Sequence, residues 1–339
     1  MTSVADLEIR PVDPRDDADM DAFQAVYAAA ELAEDPDAAL YSREDGVTLL
    51  LSSGTGGELW EGYGAFAGGR MVGELIVTAP LRDNLHVARV FVWVDPEHQR
   101  QGIGTRLSSY ADERVRALDR STCHAQARIG IDRANGNRAF AERVGYLLAN
   151  TEIARRLPLP IDTGLLDRLA AEAAPHHTAY TLRTVVGPVP TDLAASYVAL
   201  KNLLGVESPT GDLEVEAGRE TATELAVQDR YLSESGRTRV ASYALDGAGD
   251  VVAYSVAAVS NQHHEHVDQW GTLVDPAHRG HRLGMAVKCA ALRALSDGFP
   301  DKRFIETTNA ETNAHMVAIN EALGFEVVQV YGDFQKRLV

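Results

Sequence analysis

The chain has 339 residues, enough for about two domains of ordinary size, and 45% of them are hydrophobic, which suffices for two cores. A formal net charge of −17 opposes binding to nucleic acid, which relies on Lys and Arg to neutralise phosphates, and suits a cationic partner through steering. No run of roughly 20 apolar residues occurs and Met1 to Asp16 is acidic and polar, so no membrane span or signal peptide is expected, and the expected compartment is the cytoplasm.

Leu7 to Arg10 alternates like a short strand ended by Pro11 and Pro14, and Asp16-Asp17 opens a helical pattern with apolar positions at Met20, Phe23, Val26, Tyr27 and Ala30. A helix or loop is expected from Asp37 to Leu51, before the break from Ser52 to Gly57. Trp60 to Ala67 and Arg70 to Ala79 form a hairpin pattern around Gly68-Gly69, a pair suited to positive φ. Leu85 to Val94 is the next expected strand, Gly104 to Leu118 a helix, Cys123 to Ile129 a strand and Asn137 to Val144 a helix with Gly145-Tyr146 as its exit. A first domain is expected to end near Leu157, and Pro158 and Pro160 mark a linker, with a connecting helix from Asp162 to Ala174.

The pattern then restarts. Tyr180 to Val185 is a strand, Pro190 to Leu204 a helix, and a helical segment lies within Ala217 to Ser233. Arg237 to Leu245 and Val251 to Ser260 form a second hairpin, His266 to Val274 a strand, Leu283 to Leu295 a helix, Arg303 to Thr308 a strand and Asn313 to Leu323 a helix. A last segment through Leu338 closes the sheet. Cys123 and Cys289 fall in different halves and read as small core residues; no disulfide is expected in a reducing compartment.

Val94-Asp95-Pro96-Glu97-His98-Gln99-Arg100-Gln101-Gly102-Ile103-Gly104 has an echo in Val274-Asp275-Pro276-Ala277-His278-Arg279-Gly280-His281-Arg282-Leu283-Gly284, 180 positions later. Such a repeat means one domain written twice. Each copy ends a strand and opens a helix whose first N–H groups lack intrahelical partners, the arrangement that holds a diphosphate. Strands alternating with helices, with an antiparallel hairpin early in each half, indicate an α/β fold with a mixed sheet covered by helices.

The spacing Gln99-x-x-Gly102-x-Gly104 and the run Asn135 to Tyr146, repeated as Asn313 to Phe325, resemble the coenzyme A loop and the later helix of the GNAT acetyltransferases. The doubling resembles tandem GNAT proteins of the mycothiol synthase type. The resemblance implies two GNAT domains, at 1–157 and 179–339, with a linker at 158–178. It implies acetyl-CoA as cofactor and a small-molecule primary amine as acceptor, with no metal and a monomer or homodimer. The cofactor-binding residues it implies are Leu273, Val274, Arg279, Gly280, His281, Arg282, Leu283, Gly284, Met285, Asn309 and Asn313 in the second half. In the first half they are Val92, Val94, Gln99, Arg100, Gln101, Gly102, Ile103, Gly104 and Thr105.

The family often places a carboxylate or histidine on the strand before the loop as base. Eleven residues before Arg279 stands Asp268, whereas the same count before Gln99 reaches Ala88, so the second half is the expected catalyst. Glu265 and His266 are alternatives within a register error of two or three. A zinc reading of His263-His264-Glu265-His266 is disfavoured, because adjacent strand residues face opposite ways. The family's acid, a Tyr four residues before Gly-Phe, is Asn320 here and Ala141 in the first half. Asn320 can donate a hydrogen bond but no proton, and Tyr331 is an alternative. Asn313 fits both a pantetheine contact and a helix cap. His278, Arg279, His281, Arg282 and Lys288 make a basic company for phosphates. An acyl-CoA-binding sensor or scaffold without catalysis is the competing expectation, motivated by the missing Tyr, and an aminoacyl transferase is a more distant one.

Overall fold

The structure is a computed structural model and describes residues 7–36, 38, 40–55, 57–131, 136–261 and 265–338. In chain order the first elements are β1 (Glu8–Pro11), α1 (Asp17–Glu34), α2 (Arg43–Leu51), β2 (Glu58–Ala67), β3 (Arg70–Pro80), β4 (Val87–Val94), α3 (Ile103–Ala117), β5 (Thr122–Arg128), α4 (Gly136–Arg143) and β6 (Leu147–Pro158). They are followed by α5 (Thr163–Ala173), β7 (Thr181–Val186), α6 (Ala194–Lys201), α7 (Leu204–Glu207), α8 (Ala222–Glu234), β8 (Arg237–Leu245), β9 (Val251–Ser260), β10 (His266–Val274), α9 (Leu283–Gly298), β11 (Phe304–Ala310), α10 (Ala314–Ala322) and β12 (Glu326–Arg337).

Two compact units result, one formed by residues up to Asn150 with Gly332 onward, the other by Thr151–Tyr331. In the first, strand order is β1-β2-β3-β4-β5-β12; in the second it is β6-β11-β10-β9-β8-β7. Each unit thus takes its last strand from the other half of the sequence. In the first unit, Gln126 Nε2 and Asn150 Nδ2 donate to the two oxygens of Asp333 at 2.8 and 3.0 Å, Lys336 pairs with Asp112 at 2.5 Å, and Phe334 is fully buried. In the second, β6 pairs antiparallel with β11 from Pro158–Phe304 to Glu152–Ala310. The boundary expected near Leu157 falls inside β6, and the connecting segment 158–178 belongs to the second unit.

The helix expected from Pro190 to Leu204 is cut into α6 and α7. Asn202 ends α6 and exchanges side-chain hydrogen bonds with the backbone of Glu220, 3.0 Å each way, while the backbone at Asn202 and Leu203 stays in the right-handed helical region. The helices that are capped follow familiar chemistry. Asp16 accepts from Ala18 and Asp19 to start α1, and Ser42 with Asp45 and Thr221 with Glu224 form capping boxes for α2 and α8.

The second unit's sheet carries α5 and α9 on one face, around Val240, Ala257, Val259, Val267, Leu292 and Ile305. Its other face carries α6, around Tyr197, Tyr243, Tyr254, Val256 and Leu273. Cys123 and Cys289 are buried free thiols, both pushed up to about 11 by burial. No helix of the described residues is long and apolar enough to cross a membrane.

Candidate active site

In the second unit β10 and β11 run parallel and pair for only three residues, His266–Phe304, Val267–Ile305 and Asp268–Glu306. Beyond this β11 stays with β6 while β10 stays with β9, so the two strands part like a fork. Facing edges of parallel strands that separate leave backbone groups open to a ligand. At the same level β10 bulges at Trp270, between Gln269 and Gly271. The Gln269 amide fills the bulge, donating to Val256 O at 2.6 Å.

Asp268 is the last paired residue of β10 and stands at the crotch of this fork. Its Oδ1 meets His266 Nε2 at 2.6 Å, its Oδ2 lies 3.7 Å from Arg237 Nη1, and about a third of the side chain is exposed (34%). Glu265 is at the opposite, closed end of the pair. There it is exposed and ion-paired with Arg303 at 2.8 Å, and its carbonyl accepts from Arg303 and Phe304. Tyr331 is half-buried in β12, which is not one of the fork's strands.

The first unit has a similar fork, with β4 and β5 pairing only from Val87–Thr122 to Arg89–His124. Its β3–β4 ladder runs without a register shift from Gly73–Val94 to Thr78–Arg89. The bulge adds one residue to β10, so the counterpart of Asp268 is Arg89, one beyond the Ala88 that counting reaches. Arg89 pairs with Glu58 at 2.5 Å. Val92 and Val94 lie past this fork and are half-buried, as is Val274 in the second unit, whereas Leu273 is buried.

Both forks point toward a helix start without a side-chain cap. Gly102 begins α3 at φ 88°, and Arg282 begins α9 at φ 52°, in the left-handed region that disfavours side chains. The Arg282 guanidinium donates to Glu172 O at 3.2 Å, which turns it toward α5 and away from the loop amides. His281 sits 3.2 Å from His176 O and packs on Tyr180, which also meets His278; Arg279 pairs with Glu207 at 2.6 Å. The second loop's cations are therefore largely engaged within the unit. In the first loop, among the described residues, Arg100 and Arg106 are exposed and their side chains make no hydrogen bond or ion pair. Gln99 and Gln101 donate to Val94 O and Glu97 O at 3.2 and 3.3 Å.

Gly104 and Gly284 have a packing reason. A Cβ on Gly104 would lie 3.2 Å from the Phe140 ring, and one on Gly284 would lie 3.1 Å from Ile319 Cδ1. Gly280, at φ 86°, has open space around it. Ile103 and Leu283 are buried anchors, Met285 packs on the core, and Thr105 is exposed.

Asn313 caps α10, its Oδ1 accepting from Met316 N at 3.3 Å. Asn320 is fully buried and donates through Nδ2 to Asn309 Oδ1 at 2.6 Å, and its Oδ1 accepts from Lys288 Nζ. Asn309 lies on β11 past the last β10 pair and is half-buried. Lys288 is fully buried in α9 with its amine 4.8 Å from the Phe325 ring centre, and burial pulls its pKa down to about 7. It is therefore no part of a basic loop surface. Its setting between Ala286-Val287 and Cys289-Ala290-Ala291-Leu292 is a sequence signal for this burial. Of the histidines considered for zinc, His263 and His264 lie outside the described residues. Among the described ones no group of three or more His, Cys, Asp or Glu could hold a metal ion.

A family model described as an acetyltransferase (GNAT) domain matches residues 60–147. A tandem GNAT protein from the clavulanic acid biosynthesis pathway is 28% identical in sequence, each chain covering 98% of the other, with a TM-score of 0.77. A GCN5-related N-acetyltransferase from Sphaerobacter thermophilus shares the fold at 17% identity and TM-score 0.65, covering 99% of this chain and 97% of its own. A comparison with curated protein sequences finds no match. Residues 60–147 thus match a GNAT acetyltransferase domain, and the chain as a whole is similar in fold to a tandem GNAT protein.

Proposed function

We propose that the protein transfers the acetyl group of acetyl-CoA to the primary amine of a small molecule, with the second unit as the catalytic one. The observation that carries this reading is Asp268 at the crotch of the β10/β11 fork, with His266 holding one carboxylate oxygen. An alkylamine has a pKa near 10 by analogy with Lys and must lose a proton before it can attack. Asp268 takes that proton, directly or through water, while His266 fixes its orientation. Acetyl-CoA brings the acetyl group as a thioester and leaves as a thiol. The uncapped amides from Gly280 to Met285 suit its diphosphate, and half-buried Asn309, on β11 past its last pair with β10, suits a hydrogen-bond donor to its acyl arm, with Asn320 behind it. Glu265, at the closed end of the fork, is the weaker choice of base, and Tyr331 the weaker choice of acid.

A second reading, with the cofactor in the first unit, is favoured by the unengaged Arg100 and Arg106 beside Gly102. The test of catalysis is thiol release from acetyl-CoA across a panel of primary amines, with the parent protein and Asp268→Asn. Release by the parent that falls at least about a hundredfold in the variant supports the assignment. Equal release by both removes Asp268 from the reaction, and coenzyme A binding without any release favours a sensor.

A further inference from the structure

Lys288 has no role in the proposed chemistry, yet its placement is unusual. It is fully buried, and the amine's polar contact is Asn320 Oδ1. The core beneath α9 is apolar, with Val240, Ala257, Val259 and Val267 from the sheet and Leu166 from α5. Facing it from other elements are the Asn320 amide on α10 and the Phe325 ring after it. Among the described residues, the titratable group that acts on it is the thiol of Cys289, next on the same helix. A buried amine without a carboxylate is costly.

The hydrogen bonds give the amine a direction of action. An ammonium only donates, so it fixes Asn320 with Oδ1 toward Lys288 and Nδ2 toward Asn309 Oδ1. With that oxygen engaged, half-buried Asn309 has its N–H donors left for the fork, where β11 has parted from β10. A neutral amine can also accept, which lets both amides turn over and offers the fork an oxygen instead. We propose that Lys288 is a positioning residue which, through Asn320, sets the Asn309 amide as a donor to a carbonyl of the acyl-pantetheine arm. This rests on the reading that the second unit's fork takes acetyl-CoA.

The experiment is calorimetric titration of the whole protein with acetyl-CoA at about pH 6 and about pH 8.5, which bracket the lowered lysine value. The proteins are the parent, Lys288→Met, Asn320→Leu and the double variant. Lys288→Met should weaken binding about fivefold to tenfold at the lower pH, the size of one hydrogen bond, and should remove part of the parent's loss of affinity on going to the higher pH. The difference between the parent and each variant at a given pH isolates the part that depends on Lys288 and Asn320. Asn320→Leu should match Lys288→Met, and the double variant should lose no more than either, because the two act in series. The melting temperature of Lys288→Met should not fall, whereas a lysine needed only for packing would lower it. Parent-like affinity in Lys288→Met at both pH values, or additive losses in the double variant, overturns the inference alone. Should Lys288→Met not fold, parent-like affinity in Asn320→Leu overturns it equally. Absence of acetyl-CoA binding by the parent overturns the cofactor reading and the inference together.

Discussion

The two units share a parallel pair that parts after three residues and a left-handed loop leading into an uncapped helix, but they differ in what they bury beside those features. The first unit encloses Glu74, which is 1% exposed, has one carboxylate oxygen without a hydrogen-bond partner, and is pushed well above the usual range by burial and then by Glu31. The second unit encloses Lys288. The first also keeps its loop arginines free, whereas the second ties Arg279 and Arg282 to Glu207 and Glu172 and adds a bulge and Asp268 at the fork. The two units keep a similar backbone scaffold while their ionisable groups differ, so what distinguishes them chemically lies in side chains.

The largest expected effect breaks the shared scaffold. Deleting everything after Tyr331 removes the strand segment that buries Phe334 and engages Asp112, Gln126 and Asn150. Loss of the cooperative unfolding transition of the first unit, followed by hydrogen exchange of β5, is the expected result. Next in size, Asp268→Asn should lower turnover by about two to three orders of magnitude with acetyl-CoA affinity unchanged, whereas Arg89→Ala at the equivalent place should leave turnover within about twofold.

The buried ionisable groups give opposite pH signatures. The Lys288 amine is held below its unfolded value, so the stability it allows is present above the usual lysine range and is lost as pH falls to about 7. Lys288→Met should therefore raise stability at neutral and lower pH by about 1–3 kcal/mol, the relief of that penalty less the cost of leaving Asn320 Oδ1 unpaired. Glu74 is held above its unfolded value, so its contribution is present below the usual carboxylate range and lost as pH rises through the raised value. Glu74→Gln should stabilise the first unit most at neutral and higher pH, read as a melting temperature that rises there and converges with the parent in acid. The smallest effect is expected from Glu265→Gln, whose exposed pairing with Arg303 contributes little. Turnover and stability should both stay close to the parent.

Much of the scaffold was legible in the residues. The hairpin at Arg237–Leu245 and Val251–Ser260 and the strand His266–Val274 are legible as apolar runs bounded by polar and glycine breaks and occur with those bounds. What alternation does not carry is partnership at a distance. Nothing local in Leu147 to Pro158 says that β6 completes the second unit, because its partner β11 lies about 150 residues away. The bulge at Trp270 is equally silent, and it moves the counterpart of Asp268 from Ala88 to Arg89. At the loops, glycine spacing points to the phosphate, while in the structure Gly104 and Gly284 lie against a neighbouring helix and the left-handed positions are Arg100 and Gly102 in the first loop and Gly280 and Arg282 in the second. Lys288 falls in with the loop's basic residues when charge is counted without burial.

Which unit holds the cofactor is the point on which the comparison turns, and exposed loop positions test it. Gln101 and His281 occupy equivalent sites just before α3 and α9, and each is exposed. Calorimetric titration with acetyl-CoA of the parent, Gln101→Glu and His281→Glu places a negative charge where each diphosphate would sit. The account predicts that His281→Glu removes the binding that supports turnover. Full binding and turnover in His281→Glu, with both lost in Gln101→Glu, would contradict it and place the reaction in the first unit.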